Sequence, residues 1–209
     1  MKKLIALAAL FATVAVASAQ QFGVIGGLTL SDMNGANNPD DIKAKTLFHA
    51  GVVYKMDLGA GFAVQPALTY SVKGSTVQER LGALDNVCNS KTGYVELGIG
   101  AQWGPDLLAF RPYLFVEPFV GYGVTGDEIY KLANSDVGQK DFSDAKNKLE
   151  YGLGAGIGVE VANHVQLSCQ VFRNMGPLYN LEKLPDAYRT SYDHLKSYQG
   201  LKLSLAVLF

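Results

Sequence analysis

Gly200-Leu201-Lys202-Leu203-Ser204-Leu205-Ala206-Val207-Leu208-Phe209 ends the sequence on an apolar strand. Leu201, Leu203, Leu205, Val207 and Phe209 fall on one face of an extended chain and Lys202, Ser204 and Ala206 on the other, because successive strand side chains point to opposite sides. In a soluble protein such an end would offer an open edge for aggregation. A barrel in a membrane uses it. The last strand pairs with the first, turns its odd residues to lipid and sets its aromatic end in an interfacial girdle.

At the other end Lys2 and Lys3 precede an apolar run, residues 4–16, and the small residues Ala17-Ser18-Ala19, the layout of a secretory signal peptide. The run is too short to cross a bilayer as a helix. Cleavage after Ala19 is expected, leaving residues 20–209 as one β-rich domain. Without Lys2 and Lys3 the 18 basic side chains fall to 16 against 19 acidic ones, a formal charge of −3. Nothing polybasic invites nucleic acid. Cys88 lies in a polar stretch and Cys169 in mid-strand, an unsuitable geometry for a disulfide, so both read as free thiols.

Eight segments alternate between apolar and polar or small residues: 22–30, 46–58, 61–73, 93–103, 111–125, 148–161, 164–174 and 198–209. The connections 59–60, 104–110 and 162–163 are short; 31–45, 74–92, 126–147 and 175–197 are long and polar. This pattern predicts an all-β, eight-stranded, antiparallel, up-and-down transmembrane β-barrel in the outer membrane, with both termini periplasmic and the long loops extracellular.

Parity separates two faces. Val95, Leu97, Ile99, Ala101 and Trp103 oppose Tyr94, Glu96, Gly98, Gly100 and Gln102, while Leu149, Tyr151, Leu153, Ala155 and Ile157 oppose Glu150, Gly152, Gly154, Gly156 and Gly158. Glycine weakens a solvated strand, but in a narrow barrel it makes room for large lumen side chains. The outward aromatics sort into two girdles, Phe22, Phe62, Trp103 and Phe209 at the ends nearest the termini and Phe48, Tyr70, Tyr122 and Tyr151 at the far ends. Pro66, Pro112 and Pro118 resist, since a closed ladder has no place for a missing N–H; Pro66 and Pro118 imply bulges or gaps.

The chain resembles the PorT-like, porin-family small outer-membrane β-barrel proteins of Bacteroidetes. The resemblance rests on Phe22-Gly-Val-Ile-Gly-Gly-Leu-Thr-Leu-Ser31, Phe48-His-Ala-Gly-Val-Val-Tyr54, Val64-Gln-Pro-Ala-Leu-Thr-Tyr-Ser-Val-Lys-Gly74 and Arg111-Pro-Tyr-Leu-Phe-Val-Glu-Pro118. It implies tolerance of proline at Pro66 and Pro118, and a last strand that both closes the barrel and is recognised by the insertion machinery. The family more often has Pro-Glu where this chain has Pro66-Ala67, so one lumen carboxylate is missing. It brings no catalytic motif.

Lys55, Glu96, Arg111, Glu117, Glu150, Glu160 and Lys202 are the candidate lumen charges, read as a plug of ion pairs because an eight-stranded barrel is just wide enough to be filled by side chains. Lys202 is expected near Glu117 or Glu150. Asp193-His194, between Ser191 and Ser197, lacks a nucleophile turn, so no catalytic residue is assigned. The acidic stretch from Asp32 to Asp41 lacks the glycine and glutamate of a calcium loop, and no metal or cofactor is expected. Leu178, Tyr179, Leu181, Tyr188 and Tyr192 make the last long loop unusually aromatic, either as a cover for the barrel mouth or as a surface for an extracellular protein partner. The expected function is a structural or interaction scaffold in outer-membrane lipid. The alternatives are a narrow passive porin, a subunit or assembly factor of a secretion machine, and a soluble lipocalin-like barrel with an apolar lumen.

Overall fold

The computed structural model describes residues 20–34, 42–81, 84–107, 109–132, 135–141, 148–176 and 197–209. The expected signal peptide, residues 1–19, lies outside them. Nine strands are present among the described residues: β1 (Gln20–Asn34), β2 (Ile42–Gly59), β3 (Phe62–Leu81), β4 (Leu84–Trp103), β5 (Phe110–Leu132), β6 (Ser135–Asp141), β7 (Leu149–Val161), β8 (Val165–Asn174) and β9 (Ser197–Leu208). Eight of them close an antiparallel barrel in the order β1-β2-β3-β4-β5-β7-β8-β9 and back to β1, and β6 pairs only with the distal part of β5.

The seam is the strand with which the sequence ends. Leu203 and Leu205 stand opposite Leu28 and Gly26, and Phe22 and Phe209 exchange two backbone hydrogen bonds of 3.1 and 2.7 Å. Pairing followed once round the barrel runs from Gln20 to Met56, Val64, Ala101, Val116, Ala155, Val171 and Leu201, and returns to β1 at Leu30, ten residues beyond its start. A stagger of ten over eight strands about 4.8 Å apart tilts the strands by about 40° and sets opposite walls roughly 16 Å apart, so side chains fill the interior.

Alternation decides which side chains those are. Leu97, Ile99, Leu114, Val116, Ile157, Leu167, Leu203 and Leu205 are exposed on the outer face, while Lys55, Glu96, Arg111, Glu150, Glu160 and Lys202 are buried inside. A soluble lipocalin-like barrel would carry these faces reversed. The two aromatic sets also lie as parity placed them: Phe22, Phe62, Trp103 and Phe209 are exposed near the termini, and Phe48, Tyr122 and Tyr151 at the far end. Phe62 lies tilted against Trp103 and Phe48 against Tyr70, whose exposed hydroxyl is hydrogen-bonded to the Thr125 hydroxyl at 2.8 Å.

Two short turns at the end carrying the termini explain the tight connections. Ala162 and Asn163 both have positive φ, 51° and 60°, and the His164 N–H donates to the Val161 carbonyl at 3.1 Å, which makes a two-residue turn whose twist suits a hairpin. The β2–β3 loop is Ala60-Gly61, one residue later than expected, with positive φ from Gly59 to Gly61.

The lumen glycines of β7 lie under neighbouring side chains. A Cβ on Gly152 would stand 2.4 Å from the Arg173 carbonyl oxygen and 2.5 Å from the Phe119 ring, whereas one on Gly154 would meet only the flexible Gln170 side chain. Gly152→Ala is therefore expected to destabilise the barrel by about 1–3 kcal/mol and Gly154→Ala by clearly less. Equal urea-unfolding midpoints for the two variants would contradict this packing.

The expected loop bounds need correction. The stretches 74–92 and 126–147, read as loops, are largely β-structure: β3 and β4 pair as far as Leu81 and Leu84, and β5 continues to Leu132 and turns back as β6. Likewise 31–45 is shortened by β1 reaching Asn34 and β2 starting at Ile42. Apolar and polar residues do not alternate in these stretches, so parity is silent there. Eight strands thus counts the barrel and omits β6. Of the bulges or gaps expected at Pro66 and Pro118, the ladder has the gaps: pairing skips two residues between Val53↔Ala67 and Met56↔Val64, and between Gly98↔Phe119 and Ala101↔Val116, with the register unchanged. Each proline points its missing donor at one neighbour only, and the pairing of Pro66 with Ile99 and of Pro118 with Leu153 is intact.

Candidate functional site

The lumen is where the chain concentrates its chemistry, and two ion-pair layers occupy it. The layer farther from the termini centres on Lys73, which is completely buried. Its Nζ lies 2.7 Å from Glu96 and 3.0 Å from Glu150 and donates to Asn174 Oδ1 at 3.3 Å. Lys202 meets Glu96 at 2.6 Å, and Asn174 also donates to Glu150. The two ammonium groups lie against Phe119 and Phe172, at 4.5 and 4.9 Å from the ring centroids for Lys73 and 5.6 and 5.5 Å for Lys202. These distances are within cation–π range. Beside Lys73 the Ser31 hydroxyl donates to the Gly74 carbonyl at 2.7 Å and accepts from the Gly74 N–H at 2.8 Å, stitching β1 to β3.

The second layer, nearer the termini, is built on Glu160. Lys55 reaches it at 2.8 Å, Arg111 at 3.6 Å, and the Gln166 amide donates to it at 2.8 Å. Arg111 continues to Gln102 and to the Gly61 carbonyl, at 3.1 and 2.9 Å, tying the plug to the β2–β3 turn. Asp57 and the exposed Asp106 add carboxylates at 3.0 Å from Lys55 and 3.4 Å from Arg111. Val53, Ala67, Ala206 and Leu208 form a small apolar cluster with Ile25 packed against it.

All seven candidate charges lie on the lumen side, six of them buried and Glu117 half-buried. Lys202 pairs with Glu96 and with neither Glu117 nor Glu150. Its partner is fixed by the ten-residue stagger, which no single strand displays. Several contributors were missed. Lys73 follows Ser71 on the lumen parity of β3, and one more step along the alternation finds it. His49, also on lumen parity, hydrogen-bonds Thr29 at 3.0 Å through Nδ1 and Ser204 at 2.9 Å through Nε2. Gln65, Gln102, Gln166, Gln170 and Asn174 carry no charge to draw attention, yet they complete the hydrogen bonding that buried ions need.

Most of the remaining candidates fall beyond the described residues. Asp193 and His194, and the aromatic stretch from Leu178 to Tyr192, lie outside the described residues. Ser197 is buried at the start of β9, opposite Asn34. Cys169 is a free thiol on the outward side of β8; the side chain of Cys88 lies outside the description. Among the described residues no three His, Cys, Asp or Glu side chains gather as a metal site.

A lipid-compatible exterior around a charged plug fits one setting, and sequence comparison agrees: residues 17–180 match the family model described as the outer membrane protein beta-barrel domain. The chain belongs to this outer-membrane β-barrel family. Its apolar belt accordingly meets outer-membrane lipid. Solved structures with similarity to this barrel include Neisserial surface protein A, 15% identical over 91% of this chain and 99% of that one, with a TM-score of 0.43. Ail, the attachment invasion locus protein of Yersinia pestis, is 9% identical over 90% of this chain and 98% of its own, at 0.44. Outer membrane protein W of E. coli is 16% identical over 93% of this chain and 100% of its own, at 0.44. No curated protein matches the chain.

Proposed function

We propose that this outer-membrane barrel is a non-enzymatic structural or interaction scaffold whose lumen is sealed. The observation that carries this reading is the continuous set of ion pairs linking Lys73, Glu96, Glu150 and Lys202 and, separately, Lys55, Glu160 and Arg111, all of them buried. Two charged layers bridged across a space roughly 16 Å wide between backbones leave no through-path of solute size. The short turns at one end and the extended hairpins at the other support periplasmic termini and an extracellular β3-β4-β5-β6 projection. That projection rises about 20 Å beyond the level of Thr92, by the length and tilt of β4. With residues 177–196 it is the surface for a protein partner. The motifs quoted above support the PorT-like, Bacteroidetes assignment, and with it a role for β9 as the strand read by the insertion machinery.

Planar-bilayer recording of the purified, folded protein tests the sealed lumen. The expected trace is free of stable unitary steps; reproducible steps of one size would favour the narrow porin. Co-purification of secretion components from gently solubilised membranes would narrow the scaffold to a subunit of such a machine.

A further inference from the structure

Between the two ion-pair layers lies a polar chamber of about 40 Å³. Its polar lining includes Glu117, Gln102, Gln166, Gln170, Ser168 and Ser204, beside the rings of Tyr113 and Phe115. Glu117 differs from every other lumen carboxylate. Glu96, Glu150 and Glu160 each have a cation within 4 Å; among the described residues Glu117 accepts one hydrogen bond, from the Gln170 amide at 3.1 Å, and forms no ion pair. Lys202 and Arg111 are committed elsewhere, Lys202 to Glu96 and Arg111 to Glu160, Gln102 and Asp106. On the neighbouring strand Gly98 and Gly100 make room for the Glu117 side chain itself, since a Cβ there would come within 2.9 and 3.8 Å of its carboxyl group.

A carboxylate inside a barrel needs a counter-charge. The chamber offers what a small hard cation takes: one anionic oxygen, amide carbonyls and hydroxyls, with no sulfur or imidazole directed at it. His49 stands one residue back, bonded to Ser204 through Nε2. A single carboxylate balances one positive charge, and a volume on the order of two or three water-sized spheres admits a partly dehydrated alkali ion. We infer that this chamber binds one monovalent metal cation, sodium or potassium, against Glu117, as a counter-ion joining the two ion-pair layers. Divalent ions are disfavoured, because they would add an unbalanced charge and ask for more carboxylates than one.

The test compares the folded protein in KCl or NaCl with the same protein in tetramethylammonium chloride at equal ionic strength, reading the temperature at which the compact gel band converts to the unfolded one. The expected result is a midpoint about 2–4 °C higher with the alkali ion, and loss of that difference in Glu117→Gln. An equal response in Glu117→Gln, or none in the wild type, overturns the site. Because the variant could fail to fold, wild-type crystals soaked in a thallium(I) salt give a second reading. An anomalous peak within coordination distance of Glu117 supports the proposal, and a lumen without such a peak overturns it.

Discussion

Lys73→Met is expected to cost about 3–5 kcal/mol, the scale for breaking a buried ion pair by removing one partner. The methionine fills most of the lysine's volume and retains contact with Phe119 and Phe172, so the loss is chiefly electrostatic. It does not fall evenly. Glu96 keeps Lys202 at 2.6 Å. Glu150 keeps the uncharged Asn174 and its contact with Glu96, another carboxyl group, and is left buried without a cation. Neutralising that orphan should restore much of the stability: Lys73→Met with Glu150→Gln is expected to be more stable than Lys73→Met alone. Urea unfolding of both variants in the same lipid decides. If the double variant is no better, packing of the lysine stem over the aromatic rings holds this layer together, and the ion pairs are incidental.

That layer also shows what the sequence could and could not reveal. The burial of Glu96, Glu150 and Lys202 was legible because each sits one step from an apolar neighbour on either side, in strands with one face that must avoid charge. Their partners were not. Glu96 and Lys202 are 106 residues apart, and whether they meet depends on the stagger accumulated round eight strands. Stagger is set jointly by every turn and hairpin register, so no local stretch encodes it. The glycines of β7 were legible as space, yet which residue fills each space again depends on register: Phe119 covers Gly152 and Gln170 covers Gly154. The β3–β4 and β5–β6 extensions lacked any signal, because alternation records a difference between two environments and their sequence does not alternate.

The outer face yields the second large effect. On β4, Trp103 pairs with Phe62 in one aromatic ring, and Val95 pairs with Tyr70 and Tyr122 of the other. Ile99 is midway between them, exposed and free of polar neighbours on its face. Ile99→Arg places a guanidinium near the bilayer midplane and is expected to cost about 2–4 kcal/mol. Leu149 is more exposed still, but lies beyond Tyr151 at the edge of the belt, where the same substitution costs about 0–1 kcal/mol. An arginine snorkels readily from Leu149 and poorly from Ile99, whose distance to either edge is about 13 Å along the strand. The difference between the two variants isolates depth, since both exchange an exposed aliphatic residue for arginine on the same kind of surface. Equal unfolding free energies in vesicles would mean that the belt is not centred on Ile99 and that the two aromatic rings do not mark the edges of the hydrocarbon core.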